Sequence, residues 1–86
     1  MKKEINTTNI YDTVRYNIRK YRLLKGITQQ QLADETDLSQ GYIREIESLK
    51  MHATFSLDAV EKIANALEIE FIYLFEEPTK QEKNTK

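Results

Sequence analysis

No cysteine occurs in the sequence, and glycine and proline are scarce, at two residues and one. Without thiols there is no disulfide framework, no thiolate zinc site and no cysteine nucleophile. So few backbone breakers favour helices over a fold of many short strands. Long apolar stretches are missing too. The longest run is five residues, Phe71 to Phe75, against about 20 for a membrane span. The opening residues, Met1-Lys2-Lys3-Glu4-Ile5-Asn6, lack the apolar stretch of a signal peptide. The expectation is a cytoplasmic protein with no membrane partner. The single histidine, His52, has no second ligand group at zinc spacing, so it reads as a loop residue and no metal is expected. There is no glycine-rich phosphate loop and no carboxylate pair at metal-ligand spacing. Catalytic residues, cofactors and a small-molecule substrate are therefore not expected.

What is present is an ordinary foldable composition, 40% apolar and 31% charged over 86 residues, enough for one domain with a modest core. The net charge of −1 gives no direct sign of a nucleic-acid partner. Its distribution is polarised. Residues 13–50 carry seven cations against five carboxylates, whereas residues 51–79 carry one against six. A mildly basic front and an acidic back would keep a binder of polyanions soluble and oriented.

The pattern along the chain divides it into a flexible arm over 1–11, a helical domain over 12–78 and a solvated tail over 79–86. A first helix is expected from Asp12 to Lys25, with Val14, Ile18 and Tyr21 at helical spacing and Gly26 ending it. Thr28 with Gln31 three residues on is a capping box for a second helix of about two turns, reaching Glu35 or Thr36. Asp37-Leu38 forms a tight turn, and Ser39 caps a third helix that ends near Ser48 or Leu49. Ile43 and Ile46 share one face of it. After a loop from Met51 to Phe55, Ser56 caps a fourth helix with an apolar stripe of Leu57, Val60, Ile63, Ala64 and Leu67. A short fifth helix carries Phe71 to Phe75, and Pro78 stops it.

Two short helices joined by a tight turn must cross closely, and Ala33 is small enough for the crossing. Ile43 and Ile46 would lock the third helix down, leaving Gln40, Gly41, Arg44 and Glu45 exposed. A projecting helix with such a face fits the major groove of B-DNA.

From Val14 to Phe75 the chain resembles the Cro/repressor type of helix-turn-helix, also called Xre-like. The resemblance is carried by Gly26-Ile27-Thr28-Gln29, by Gln31-Leu32-Ala33, by Leu38 through Glu47, by Ser56-Leu57 and by Ile63-Ala64-Asn65-Ala66-Leu67. It implies an all-α, compact five-helix bundle of the lambda-repressor-like DNA-binding type. It also implies a transcriptional regulator, a repressor, acting on double-stranded DNA in the nucleoid. Gln40 would pair with adenine and Arg44 with guanine. Gly41 would let the backbone or a thymine methyl come close, with simple tolerance of glycine as the other reading. Glu45 would accept from cytosine or stand at the edge, paired with Arg44 or Lys50. Gln29 is implied as a phosphate contact, consistent with its place in a first helical turn. Thr28, Ser39, Tyr42 and Lys50 are further phosphate candidates. The resemblance also implies an ion pair between Arg22 and Glu47.

Three departures stand out. Asp37 replaces a usual glycine in the turn, though aspartate tolerates the left-handed conformation. Leu49 replaces a glycine after the third helix. The loop to Ser56 is longer than usual, with Phe55 in place of a proline. Near the C-terminus, the resemblance makes Phe71, Leu74 and Phe75 core positions, while Ile72 and Tyr73 stand where polar residues are common. One helical turn cannot bury five apolar side chains against a single core. A homodimer interface through Phe71, Ile72, Tyr73 and Phe75 is therefore expected, matched to a palindromic operator. The alternative is a protein-interaction module or antitoxin-like partner using the same Phe71–Phe75 surface.

Overall fold

The computed structural model describes residues 9–77. In chain order it has α1 (Ile10–Lys25), α2 (Gln29–Thr36), α3 (Gln40–Glu47), α4 (Leu57–Leu67) and a 3₁₀ helix (Phe71–Phe75). The all-α class is the expected one, but the count differs: four α-helices and a 3₁₀ helix, not five α-helices. The last element is a short segment set between extended residues, Glu70 and Glu76. There the Tyr73 N–H donates to the Glu70 carbonyl three residues back, at 3.0 Å, the 3₁₀ pattern of short segments. Residues 1–8 of the arm, Pro78 and the 79–86 tail lie outside the described residues.

α1 starts two residues earlier than expected. Asn9 is its N-cap, the Oδ1 atom accepting from the Asp12 N–H at 2.9 Å, so Ile10 and Tyr11 belong to the first turn rather than to an arm. The other starts follow the local chemistry read above. Thr28 and Gln31 form the reciprocal capping box. The Ser39 hydroxyl accepts from the Tyr42 N–H, and that of Ser56 from the Ala59 N–H. Each cap satisfies an amide that the helix cannot. α1 ends at Gly26 in the left-handed conformation, φ 79°. The Gly26 and Ile27 N–H groups donate back to the carbonyls of Leu23 and Arg22, the two-bond Schellman closure. α4 ends the same way at Glu68, φ 62°, without a glycine.

The core is one cluster fed by every element: Val14 and Ile18 from α1, Leu32 and Ala33 from α2, and Ile43 and Ile46 from α3. Val60, Ile63, Ala64 and Leu67 of α4 complete it with Leu74 of the 3₁₀ helix. Three expected core positions are not in it: Phe75 is partly buried and packs against the cluster, while Leu57 and Phe71 are exposed. Leu57, at the first residue of α4, is 67% exposed. Ala59, which the stripe did not include, is buried. Phe71 is also exposed and rests against Phe75, ring centroids 5.0 Å apart.

Of the buried polar residues of α1, Arg15 and Asn17 are the least exposed, at 1% each. Asn17 donates to the carbonyls of Leu74 and Glu76, at 2.8 and 2.9 Å, which ties down the 3₁₀ segment. Arg15 reaches the opposite way, toward the end of α3. Both carry out the pairing that buried polar groups require.

Candidate nucleic-acid interface

α2 and α3 pack against each other through the Asp37–Ser39 turn. Thr36 closes α2, its hydroxyl lying 2.9 Å from the Leu32 carbonyl and 3.1 Å from that of Ala33, and it accepts from the Leu38 N–H. Asp37 then takes the left-handed conformation, φ 65° and ψ 16°. Leu38 packs against the core and Ser39 opens α3. Ala33, 1% exposed, leaves room for the crossing.

On α3, Ile43 and Ile46 are fully buried, while Gln40, Arg44 and Glu45 are exposed and Gly41 is partly so. The Arg44 guanidinium reaches back along the helix. Its Nη2 atom lies 3.8 Å from where a Cβ on Gly41 would stand. Glu45 forms no ion pair with Arg44 or Lys50 among the described residues. Its carboxylate joins an exposed face that holds a donor-rich cation, an amide and a bare stretch of backbone. These groups can exchange hydrogen bonds with base edges.

The end of α3 is held against α1. Arg22 donates from Nε to Glu47 Oε2 at 2.8 Å and from Nη2 to Oε1 at 2.9 Å. Both side chains are nearly out of solvent, at 9% and 3% exposure. The remaining guanidinium edge donates to the Ile27 carbonyl. Gln29 joins this pair, its Nε2 donating to Glu47 Oε1 at 3.1 Å. Part of the Gln29 side-chain amide is therefore committed within the protein. The backbone N–H groups of Gln29 and Gln30 have no acceptor among the described residues, nor have those of Gln40 and Gly41. Two first helical turns thus present free donors, the geometry that suits an anion.

The phosphate candidates fall into two kinds. Thr28 and Ser39 spend an oxygen lone pair on a cap and keep their hydroxyl hydrogens. Tyr42 is half-buried against the core, whereas Lys50 is exposed in the loop after α3. Of the cations in the basic front half, Arg15 and Arg22 are buried. They serve the scaffold, each paired with a carboxylate, Arg15 with Asp12 and Arg22 with Glu47.

A helix-turn-helix family model matches residues 18–74, from inside α1 to the 3₁₀ helix. The chain belongs to the helix-turn-helix family. Solved structures of similar shape include the restriction-modification controller protein C.AhdI from Aeromonas hydrophila, 31% identical with a TM-score of 0.69, over 76% of this chain and 91% of that one. C.Esp1396I, solved bound to a 25 base pair operator site, is 28% identical with a TM-score of 0.70, over 92% and 99%. A hypothetical transcription factor from Neisseria, NHTF, is 25% identical with a TM-score of 0.77, over 98% and 94%. Among curated proteins no sequence match is found.

Sequence reasoning missed Arg15 and Asn17 in this helix-turn-helix scaffold. A signal existed. Both are polar residues beside Val14 and Ile18 on the inward side of α1, where only a side chain with buried partners can sit. Among the described residues no group of three potential ligands could hold a metal ion, and no helix is long and apolar enough to cross a membrane.

Proposed function

We propose that this DNA-binding transcriptional regulator represses by reading a palindromic operator as a homodimer, with α3 of each copy in the major groove. The observation that carries the reading is the division of α3. Its inner face is completely buried, its C-terminal end is pinned by the Arg22–Glu47 pair, and its outer face is polar and open. Gln40 and Arg44 read bases, Gly41 allows close approach and Glu45 stands at the edge. Thr28, Ser39, Tyr42 and Lys50 contact phosphates, joined by the free amides beside Gln29. The likeness to C.Esp1396I, solved on its operator, supports this use of the fold. Such a protein acts at the nucleoid, in the cytoplasm, and performs no catalysis.

The dimer surface is the exposed apolar end of the molecule. Phe71, Ile72 and Tyr73 are exposed, at 39%, 63% and 43%. Beside them runs an apolar groove of about 190 Å³ that includes Ile10, Phe55, Leu57 and Phe75. Two copies joined here would set their α3 helices for adjacent grooves about 34 Å apart. The same exposure also supports a partner-binding module as the second reading.

In-vitro selection of duplexes at two salt concentrations tests the proposal. The wild-type chain should recover a palindrome, with affinity falling steeply as salt rises. Replacing Gln40 and Arg44 by alanine should abolish selective binding while folding is retained. Recovery of no preferred sequence would refute the regulator reading. Capture of a protein partner that survives the double substitution would favour the second one.

A further inference from the structure

Arg15 is a charged side chain only 1% exposed, on α1, outside the α3 face that would read bases. Its guanidinium has three hydrogen-bond acceptors. Nε donates to Asp12 Oδ1 at 3.0 Å, Nη1 to the Ile46 carbonyl at 2.9 Å and Nη2 to the Ala53 carbonyl at 2.8 Å. The Phe55 ring covers it, 5.6 Å from centroid to guanidinium carbon, and the Tyr11 ring braces Phe55 edge-on. The two carbonyls bracket the segment that leaves α3. One buried cation therefore ties the last turn of α3 to the middle of the loop that follows it.

That loop needs such a grip. In a continuing helix the Lys50 N–H would bond to the Ile46 carbonyl. Here the Lys50 and Met51 N–H groups both donate to Ser48 Oγ at 3.2 Å, so the chain turns away and the Ile46 carbonyl is left for Arg15. No proline or glycine stiffens or eases residues 48–56. Within them only His52 has a positive φ, 51°, a conformation uncommon for residues with a Cβ, though histidine adopts it more readily than most. Lys50 stands exposed between the two gripped carbonyls.

We propose that Arg15 is a positioning residue for DNA binding: a buried clamp on the α3–α4 loop that presents Lys50 to a phosphate. The role rests on the DNA-reading function proposed above. Arg15 itself touches no DNA. It sets where the Lys50 backbone stands, and so whether the ammonium meets the phosphate or swings in solvent.

The test is the salt dependence of binding to a duplex recovered by in-vitro selection with the wild-type chain. Wild type, Lys50→Ala, Arg15→Gln and the double variant are compared at a temperature where circular dichroism shows each folded. Loss of one phosphate contact makes the plot of log affinity against log salt shallower by about 0.9. Lys50→Ala and Arg15→Gln should each show that loss, and the double variant no more than either. Arg15→Lys keeps the charge and can serve one of the two carbonyls. It should retain part of the slope, and it replaces Arg15→Gln if that variant does not fold. A folded Arg15 variant with the wild-type slope would overturn the proposal, as would a double variant whose losses add. A wild-type chain that recovers no duplex fails differently: the DNA-reading function falls, and the positioning role with it.

Discussion

Gly41 sits in the first turn of α3, where a methyl group would meet only ordinary contacts, 3.8 Å to Arg44 Nη2 and 4.0 Å to Ser39 Oγ. Nothing inside the protein demands glycine there. Alanine should stabilise the helix by about 0.5–1 kcal/mol. If the groove floor comes close at this point, Gly41→Ala should raise the melting temperature and lower duplex affinity together. Thermal melts and a binding titration measure the two effects, and unchanged affinity would remove Gly41 from the contact surface. Asp37 is the converse case. Its left-handed conformation is set by the turn itself, and the side chain bears the strain. Asp37→Gly should raise stability by about 1 kcal/mol in urea denaturation and leave DNA affinity alone.

At the scale of elements, α3 is placed by polar contacts at its C-terminal end as much as by its apolar face. Glu47 accepts from Arg22 twice and from Gln29 once. Removing it would leave a guanidinium buried without its counter-charge. Glu47→Ala should therefore cost about 3–5 kcal/mol, read by chemical denaturation, and should weaken duplex binding by loosening α3. An unaltered melting temperature together with unaltered affinity would show that α3 is held by its isoleucines alone. The 3₁₀ segment is placed in a similar way, by Asn17 holding the Leu74 carbonyl within it and the Glu76 carbonyl just after it. A short apolar stretch is thereby fixed with Leu74 inward and Ile72 and Tyr73 outward.

For the whole molecule, the arrangement puts the polar α3 face and the apolar 3₁₀ end on separate elements, so one can bind DNA while the other binds a second copy. Sedimentation of the wild-type chain should show a dimer at tens of micromolar concentration. Tyr73→Glu, which sets a carboxylate in the apolar patch, should sediment as a monomer. It should also bind a palindrome less tightly, since two linked half-sites gain from effective concentration. A monomeric wild type, with Tyr73→Glu indistinguishable from it, would end the dimer proposal.

Local chemistry determined much of this protein directly from its residues. Thr28, Ser39 and Ser56 cap their helices because a side-chain oxygen three residues before an amide is a short-range device that works in any context. Gly26 ends α1 for an equally local reason, and the spacing of Ile43 and Ile46 already divided α3 into a buried and an open face. Tertiary structure decided what depends on residues far apart in the chain. The loss of Leu57 and Phe71 from the core reflects where neighbouring elements stop, which periodicity does not encode. The burial of Arg15 depends on carbonyls 31 and 38 residues away, and that of Asn17 on carbonyls 57 and 59 residues away. A polar side chain on an inward face can be buried only once distant backbone arrives to pair with it, and that arrival belongs to the fold as a whole.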